Sequence, residues 1–482
     1  MTRSRGELPV PAPDPVRGGQ FQRELGLLDA SAIVAGSMIG SGIFIVSADV
    51  ARTVGSPTWL LWVWGLTAIV TILGALSYGE LAAMMPRAGG QYVYLREAYS
   101  PLLGFLYGWT LFLVIQTGTI AAVAVAFAKF LGVLIPWISA QHNVGQIGGV
   151  SLSSQRFVAI AVIALLTWSN SRGLREGKLI QNAFTSAKIL VLILLIVLGL
   201  VVARDTTAVQ ANFVTSSQDA PLTLGFLMLV GGAMVGPLFS SDAWNNVTFT
   251  SSEVKNPHRT LPLSLLGGTV VVMVLYLLTN AAYLCLLPLE GVGTGTTVTE
   301  RGIQYAAEDR VATAAASVLF GPSAVAIMAV AIMVSTFGCL NGLILAGPRL
   351  YYAMAQDRLF FARTGHLNSA GVPAGGLWLQ MLWASLLTLS GTYGDLLDYV
   401  VFAALLFYVL TVIGLFVLRV KLPDAERPYR VYGYPWVPGL YVVGASIIMI
   451  NLLFVKPAYT WPGLLIVLSG VPVYFFWQRA MK

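Results

Sequence analysis

Long apolar runs separated by short polar segments fill the chain from Leu27 onward. An α-helix needs about 20 apolar residues to cross the hydrocarbon core of a bilayer, so the pattern predicts twelve transmembrane helices with both termini on one side. They lie near residues 27–52, 57–85, 100–135, 155–171, 179–203, 222–251, 262–288, 312–347, 374–391, 395–419, 435–455 and 460–478. Two runs, 100–135 and 312–347, exceed one bilayer thickness, so we expect tilt or extension beyond the membrane.

The first run contains an unusual stretch, GSMIGSGIF at residues 36–44, with three glycines and two serines. Glycine inside a helix costs about 1 kcal/mol relative to alanine. One explanation is a packing face of small residues, Gly36-x-x-x-Gly40, which is the commoner one in apolar spans. The other is a helix that is interrupted within the membrane, where the released backbone groups must find other partners.

A second apolar run with similar residues at mid-span favours the explanation that the helix is interrupted. The sixth run carries GGAMVGPLFSSDAWNN at residues 231–246, with glycine, proline and aspartate at mid-span. The tripeptide Met-Ile-Gly at 38–40 matches Met-Val-Gly at 234–236, an offset of 196 residues, and each interrupted run is followed by four more. Paired interruptions at corresponding places in two halves are typical of transporters built from inverted repeats.

The two interruptions together predict a site for an α-amino acid. Helix N-termini attract anions, so the N–H groups around Ser41 and Gly42 suit a carboxylate. Carbonyl groups left free near Met38, Phe239 and Ser240 suit an ammonium group. A site that recognises a carboxylate beside an amine describes an α-amino acid.

Composition and charge agree with a polytopic membrane protein. Of 482 residues, 57% are hydrophobic and 10% charged, whereas soluble domains carry about 25% charged residues. With both termini in the cytoplasm, twenty of the 28 Lys and Arg residues fall in cytoplasmic segments and six on the other side, as the positive-inside rule requires. The net charge of +7 is therefore a topology signal, and we predict no nucleic-acid partner because the basic residues form no patch.

Catalytic and metal-binding patterns are missing from the sequence. The two cysteines, Cys285 and Cys339, fall in apolar runs, and the three histidines lie in loops without metal-ligand spacing. There is also no GxxxxGK[ST] motif for a nucleotide. The sequence therefore predicts neither an enzyme nor a cofactor or metal site.

Five segments, in order between about Leu27 and Leu453, carry a family resemblance. They are GSMIGSGIF, PRAGGQYVYLREAYSPLLGFLYGW, IQNAFTSAKILVLILLIVLG, AWNNVTFTSSEVKNPHRTLP and STFGCLNGLILAGPRLYYAMAQD. Together they resemble the amino acid–polyamine–organocation superfamily, and within it the L-type amino acid transporter family. The resemblance implies an all-α membrane protein with a five-plus-five inverted repeat of the LeuT type, broken first and sixth helices, two additional helices, and amino acid transport.

This fold divides the chain into four expected parts. Residues 1–26 form a cytoplasmic tail, which has no apolar segment typical of a signal peptide. Residues 27–203 form the first repeat with helices one to five, and residues 222–420 form the second with helices six to ten. Residues 435–478 hold the last two helices. We expect the protein in the cell (inner) membrane.

The resemblance and the helix breaks give a set of expected site residues. In the resembling family, Ser41 and Gly42 hold the substrate carboxylate, Phe239 is the gate above the substrate, and Trp244 lies beside the broken sixth helix. The predicted substrate-binding set is Met38, Ile39, Ser41, Gly42, Phe239, Ser240, Asp242 and Asn341. Phe239 and Trp244 are also open to a simpler interpretation as ordinary packing aromatics.

Lys188 lies about ten residues into the fifth run, too deep to reach the interface easily. In sodium-coupled relatives a sodium ion bridges the first and eighth helices near this place. We expect the ammonium group to hold the carbonyls of residues 39–40 and groups near Ser335 instead, which makes transport sodium-independent.

Other ionisable residues in the runs allow several roles. Glu80 is either a structural cap, a partner of Arg87 or functional, and Lys129 is expected to extend to the outer interface. Asp242 replaces a residue that is glycine or small in many relatives. Its carboxylate either caps the inner half-helix near Asn245, binds a substrate ammonium group or basic side chain, or carries a coupling proton.

The predicted function is amino acid transport by exchange or proton coupling around a midplane site. The alternatives are a polyamine or amine carrier, in which Asp242 binds an ammonium with no carboxylate involved, and a transporter-like amino acid sensor. The cysteine that links relatives to an ancillary chain is missing from the segment at 138–155. We therefore expect no disulfide-linked partner, and only the lipid bilayer and a small amino acid as binding partners.

Overall fold

The computed structural model describes residues 21–147, 150–202, 206–215, 223–390 and 393–480. Residues 1–20 of the predicted cytoplasmic tail therefore lie outside the described residues. The structure is helical apart from one hairpin of two antiparallel strands, Asn143–Ile147 (β1) and Val150–Ser153 (β2), in which Asn143 pairs with Ser153.

The described residues form nineteen α-helices. The first ten are α1 (Leu27–Met38), α2 (Gly42–Val54), α3 (Pro57–Met84), α4 (Gln91–Ala98), α5 (Pro101–Thr110), α6 (Gln116–Leu134), α7 (Ser154–Ser171), α8 (Leu174–Val197), α9 (Thr206–Gln210) and α10 (Leu224–Ala233). The others are α11 (Val235–Ser240), α12 (Pro257–Leu286), α13 (Val298–Arg301), α14 (Val311–Phe320), α15 (Ala324–Gln356), α16 (Ala374–Ser390), α17 (Tyr393–Lys421), α18 (Trp436–Val455) and α19 (Pro457–Ala480).

Eight helical segments among the described residues are long and apolar enough to cross a membrane, and a ninth is added if the bent pair α1–α2 counts as one span. The protein is thus an integral membrane protein with eight or nine candidate spans by length and composition. The runs predicted at 155–171, 222–251 and 374–391 also form helices, but α7, α10–α11 and α16 are not among these candidates. The predicted number of twelve spans stays a prediction.

The two longest runs are not uniform helices. Run 312–347 is divided at Gly321, whose φ of +60° ends α14 before α15 begins. In run 100–135, the π-helical turn Leu111–Ile115 joins α5 to α6. A π-turn widens the helix by one residue and is often found at functional sites.

The first span is broken as predicted. Helix α1 ends at Met38, Ile39 has an extended backbone, and α2 begins at Gly42 with its axis bent by 41° from that of α1. Here α1 contacts α8, α12 and α15, so the break lies in the middle of the helix bundle.

The packing explanation also holds, for Gly36 of the predicted small-residue face. A Cβ atom added at Gly36 would lie 1.9 Å from the side-chain amide nitrogen of Gln181 and 2.3 Å from the Thr185 hydroxyl. Gly36 therefore allows α1 to approach α8 closely, while the interruption itself lies between Met38 and Gly42.

The sixth span is broken too, but not at the tripeptide that matched the first span. Residues 234–236 lie at the junction of α10 and α11, where the chain stays helical. The break follows Ser240, at residues 241–243, where Ala243 has a φ of +65°. A 3₁₀-helix, Trp244–Thr248, continues the chain. The matched tripeptides are thus not equivalent positions of the two breaks.

Candidate substrate site at the two helix breaks

Lys188 holds the first break from the side of α8. Its side chain is fully buried, and its Nζ donates hydrogen bonds to the carbonyl oxygens of Gly36 (2.7 Å), Ile39 (2.7 Å) and Ser335 (3.1 Å). The first two carbonyls lie at the end of α1, where helical partners run out. The ammonium group therefore lies between α1 and α15, close to where the sequence analysis expected it.

Two side chains of α15 bind the same interrupted segment of backbone. The Ser335 hydroxyl donates to the carbonyls of Gly40 (2.8 Å) and Ile39 (3.2 Å), and the Cys339 thiol donates to the carbonyl of Ser37 (3.0 Å). Together with Lys188, these groups satisfy four carbonyls of the broken segment. Buried carbonyls without partners are costly, so this arrangement stabilises the interruption.

The N-terminus of α2 faces the sixth span. Ser41 precedes α2 as its N-cap residue, and its side chain forms no capping hydrogen bond to this helix. A Cβ atom at Gly42 would lie 2.0 Å from the hydroxyl oxygen of Ser240 and 3.1 Å from its Cα. Gly42 thus allows the N-terminus of α2 to pack closely against α11. The carboxylate site expected at Ser41 and Gly42 stays a prediction.

Tyr276 of α12 connects the two breaks. Its hydroxyl lies within donating distance of the carbonyls of Met38 (3.2 Å) and Ser240 (3.0 Å). The amide of Asp242 donates to the carbonyl of Phe239 (3.1 Å). The three carbonyls that the sequence analysis expected to be free therefore already accept hydrogen bonds, although a carbonyl oxygen has a second lone pair for a ligand.

Asp242 lies within the second break and accepts a hydrogen bond from the hydroxyl of Tyr408 at 2.6 Å. The same hydroxyl lies 3.2 Å from the side-chain oxygen of Asn245, whose amide donates to Gln91. The N-cap residue of the 3₁₀-helix, Ala243, forms no side-chain cap, and the Asp242 carboxylate interacts with the Ala243 backbone as well as with Tyr408 of α17. The capping role considered for Asp242 stays a prediction.

Two small cavities meet at this carboxylate, because Asp242 and Tyr408 line both of them. One, of about 30 Å³, lies among α3, α11, α17 and α18. The other, of about 10 Å³, lies between the π-turn with α6 on one side and α15 with α17 on the other. A cavity of 10–15 Å³ is about what one water molecule needs, so the site is closed around Asp242.

The aromatic residues beside the second break are buried. Phe239 is 9% exposed at the end of α11. Trp244 packs edge-on against Tyr78 with ring centroids 4.7 Å apart, and its ring is tilted by 40° to that of Tyr408 at 5.3 Å. It also lines the larger cavity. Packing and gating both fit this position, so the gating role of Phe239 and Trp244 stays a prediction.

Asn341 lies apart from the cavities and is fully buried. Its side-chain amide donates to the Gly177 carbonyl and the Gln181 side chain, both at 2.9 Å, and its side-chain oxygen accepts from Asn170 at 2.9 Å. These bonds join α15 to α7 and α8. The residue predicted to line the substrate site thus forms a helix-to-helix contact in this conformation.

Other charged residues are paired. Glu80 binds Arg419 at 2.6 and 2.9 Å and lies 3.4 Å from Arg427, so the suggested pairing with Arg87 is wrong. Lys129 is 44% exposed and lies 3.3 Å from Glu308, in agreement with a position near the interface.

The structure contains a buried ion pair that was not predicted from the sequence. Glu253 and Arg349 are almost completely buried, and two hydrogen bonds of 2.9 and 3.0 Å join them. Arg349 is one of the twenty Lys and Arg residues assigned to the cytoplasmic side, and its ion pair fixes α15 to the segment that follows the second break. No group of three or more His, Cys, Asp or Glu side chains in the described part of the chain could hold a metal ion.

Residues on distant helices complete the site, and sequence reasoning did not find all of them. Tyr276 and Tyr408 come from α12 and α17, and only a polar group in an otherwise apolar span marks them in the sequence. Such a signal is weak, because tyrosine hydroxyls occur in many spans without touching a site.

Comparison with known proteins identifies the family of this chain. The family model described as "Amino acid permease" matches residues 25–475. The chain belongs to the amino acid permease family. The resemblance to the amino acid–polyamine–organocation superfamily stated from its motifs is thereby confirmed.

Individual relatives of this permease are named as amino acid transporters. It is 30% identical to large neutral amino acids transporter small subunit 2 of Mus musculus, over 96% of this chain and 83% of the relative. It is 28% identical to the serine/threonine exchanger SteT of Bacillus subtilis, over 94% and 97% respectively. It is 30% identical to the b(0,+)-type amino acid transporter 1 of Homo sapiens, over 94% and 88%. The family is thus one of transporters.

Proposed function

We propose that this permease is a sodium-independent secondary transporter of amino acids that works by exchange or proton coupling. The observation that carries the proposal is the fully buried Lys188, whose ammonium group bridges the end of α1 and α15 through three carbonyls. A fixed cation at this junction supplies the charge that a bound sodium ion would otherwise bring. The relative named as an exchanger favours exchange for this chain as well.

The proposed transport cycle is alternating access around the two breaks. The substrate carboxylate binds the N-terminus of α2 at Ser41 and Gly42, near Met38 and Ile39. The substrate ammonium group binds the second lone pairs of the carbonyl oxygens at the breaks, including that of Ser240. Phe239 and Trp244 open and close beside it. The cavities at Asp242 are too small for an amino acid, which supports a cycle in which the site must open to admit substrate.

The proposed architecture has twelve spans in two inverted repeats, 27–203 and 222–420, followed by two helices within 435–478. We place both termini in the cytoplasm and the protein in the cell (inner) membrane, in accordance with the distribution of Lys and Arg. Both cysteines of the chain lie within helices, Cys285 in α12 and Cys339 in α15. We therefore propose that it works without a disulfide-linked partner.

The test is uptake of radiolabelled amino acids into proteoliposomes, with and without internal amino acid and with sodium or choline outside. Exchange predicts uptake that requires internal substrate and is unchanged by choline. Strong stimulation by sodium would contradict sodium independence and leave Lys188 as a structural residue.

An amine carrier is the second candidate, because Asp242 is acidic and lies in the break. The corresponding decarboxylated amine of a transported amino acid separates the two. If a carboxylate binds α2, the amine competes about tenfold more weakly or worse, since a charge-assisted hydrogen-bonded contact is lost. An amine that competes equally well would favour the amine carrier. Binding without any transport would instead favour the sensor.

A further inference from the structure

The smaller cavity at the second break is lined by groups that form hydrogen bonds. Its polar lining comprises Tyr107, Gln116, Thr119, Asp242, Asn245, Asn246 and Tyr408. Apolar side chains, among them Leu111, Ile115 and Leu343, complete the wall. The cavity borders the π-turn Leu111–Ile115, where the local widening of the helix opens space for a ligand.

Most polar groups around this cavity already have protein partners. The Gln116 amide donates to the Leu343 carbonyl at 2.7 Å, and the Thr119 hydroxyl donates to the Ile115 carbonyl at 2.6 Å. Asn245 donates to Gln91 at 2.8 Å. These groups form a fixed frame, so they leave little hydrogen-bonding capacity to a ligand.

Asn246 differs from them. Its side chain is 2% exposed, lines the cavity, and its amide nitrogen has no hydrogen-bond partner in the described structure. Buried polar groups of this kind nearly always have a partner, and an unpaired one calls for an explanation. Asp242, on the wall of the same cavity, accepts from Tyr408 but forms no ion pair with any described residue.

We infer that Asn246 and Asp242 form the side-chain subsite of the permease and select small neutral side chains that carry a hydroxyl or a carboxamide. This inference rests on the proposed amino acid transport. A hydroxyl or carboxamide accepts from the Asn246 amide and donates to the Asp242 carboxylate, so both groups are satisfied at once. The cavity has room for about one water molecule, which favours a short side chain in its place.

Other side chains satisfy these two groups less well. An apolar side chain of the same size leaves the Asn246 amide nitrogen without a partner and gives the Asp242 carboxylate no donor besides Tyr408. Binding sites that hydrogen-bond a substrate hydroxyl strongly reject analogues without it. An ammonium or guanidinium side chain only donates, so it pairs with Asp242 and leaves the Asn246 amide unpaired.

The experiment compares amino acids of equal shape in counterflow into proteoliposomes. Threonine against valine and asparagine against leucine differ mainly in hydrogen bonding, and 2,4-diaminobutyrate adds a short cationic side chain. We expect kcat/KM for threonine to exceed that for valine about tenfold or more, with diaminobutyrate below threonine. In the variant Asn246→Leu, the ratio of threonine to valine should fall below about threefold, because kcat/KM for threonine falls more than that for valine. The variant Asn451→Leu, which changes an asparagine of α18 outside both cavities, should keep the ratio of the unmodified protein.

Three results would overturn the inference. They are equal kcat/KM for threonine and valine in the unmodified protein, an unchanged ratio in folded Asn246→Leu, and a preference for diaminobutyrate. The ratio measured on the unmodified protein decides the matter if Asn246→Leu does not fold. Alanine uptake is measured throughout: if alanine and the other amino acids are not exchanged at all, the proposed transport function fails, whereas alanine uptake without a threonine preference overturns the subsite alone.

Discussion

The two helix breaks differ in what surrounds them. At the first break, side chains of α8 and α15 (Lys188, Ser335 and Cys339) donate to four backbone carbonyls. Each break has one buried polar side-chain atom without a partner in the described structure, the Ser37 hydroxyl at the first and the Asn246 amide nitrogen at the second. Of these two residues, only Asn246 lines one of the cavities at Asp242, so the second break has unused hydrogen-bonding capacity beside open space.

This difference suggests a division of labour within the site. The groups common to all α-amino acids are a carboxylate and an ammonium, and a rigid, preorganised backbone at the first break suits them. Side chains vary among substrates, so the residues that discriminate them belong at the second break. Changes at the first break should therefore affect all substrates alike, and changes at the second should affect their ranking.

The largest effect is expected from Gly42→Val. A Cβ atom at this position overlaps Ser240, and the branched side chain covers the amides of α2. Overpacking of this kind costs about 1–3 kcal/mol or more, so we expect binding of every amino acid to weaken about 100-fold or to be lost. Equilibrium binding of a radiolabelled substrate to purified protein measures this loss of affinity.

The control is Gly65→Val, because an added Cβ at Gly65 meets no atom within 4 Å. A second variant, Gly42→Ala with Ser240→Gly, removes the overlap while keeping a methyl group beside the amides. If Gly42→Val binds substrates normally, the carboxylate site does not lie at the N-terminus of α2.

Lys188→Ala should have the next largest effect. It removes the donor from the carbonyls of Gly36, Ile39 and Ser335, and loss of a buried charged donor typically costs a few kcal/mol. We expect the exchange rate to fall about 10- to 100-fold for all substrates, with a smaller loss of protein in the membrane. Exchange per mole of reconstituted protein is the measurement.

Lys129→Ala is the matched control, since Lys129 is also a lysine in a span but is 44% exposed. It should exchange like the unmodified protein. Normal turnover in Lys188→Ala would refute a role in the transport cycle and would place Lys188 among purely structural residues.

The smallest effect is expected from Tyr276→Phe. The hydroxyl is the link between the carbonyl of Met38 at the first break and that of Ser240 at the second. One hydrogen bond contributes about 0.5–1.5 kcal/mol, so exchange should slow about 2- to 12-fold. Tyr283→Phe removes a hydroxyl that binds only the Ile43 carbonyl of α2, and it should alter exchange less. Equal effects of the two variants would contradict a special coupling of the breaks through Tyr276.

Several features of the fold could be predicted because they depend on local sequence. Apolar length indicates helices, and glycine with serine in an apolar run indicates an interruption, so the first break was located to within a few residues. Lys188 was predicted well for a related reason, since a lysine deep in an apolar span requires acceptors and the interrupted helix offers them. The position of the second break was less accurate, because the matching tripeptide at 234–236 stays helical.

The partners of the polar residues could not be predicted in the same way. Asp242 was considered as a cap, a substrate-binding group or a proton carrier, and its side-chain partner, Tyr408 on α17, was not among the groups considered. Glu80 was considered a partner of Arg87, yet it binds Arg419. In both cases the folded bundle brought a donor from a distant helix.

The sequence by itself determined that the chain lies in a membrane, that its first and sixth spans are interrupted, and that a buried lysine lies beside the first interruption. These properties follow from hydropathy and from the cost of glycine and charge in an apolar span, which are local quantities. Only the tertiary structure decided which carbonyls Lys188 binds and that Tyr276 joins the two breaks. It also decided that the side-chain amide nitrogen of Asn246 has no partner in the described structure. Hydrogen bonds between helices depend on distances of about 3 Å between atoms that are far apart in the chain, and only packing sets those distances.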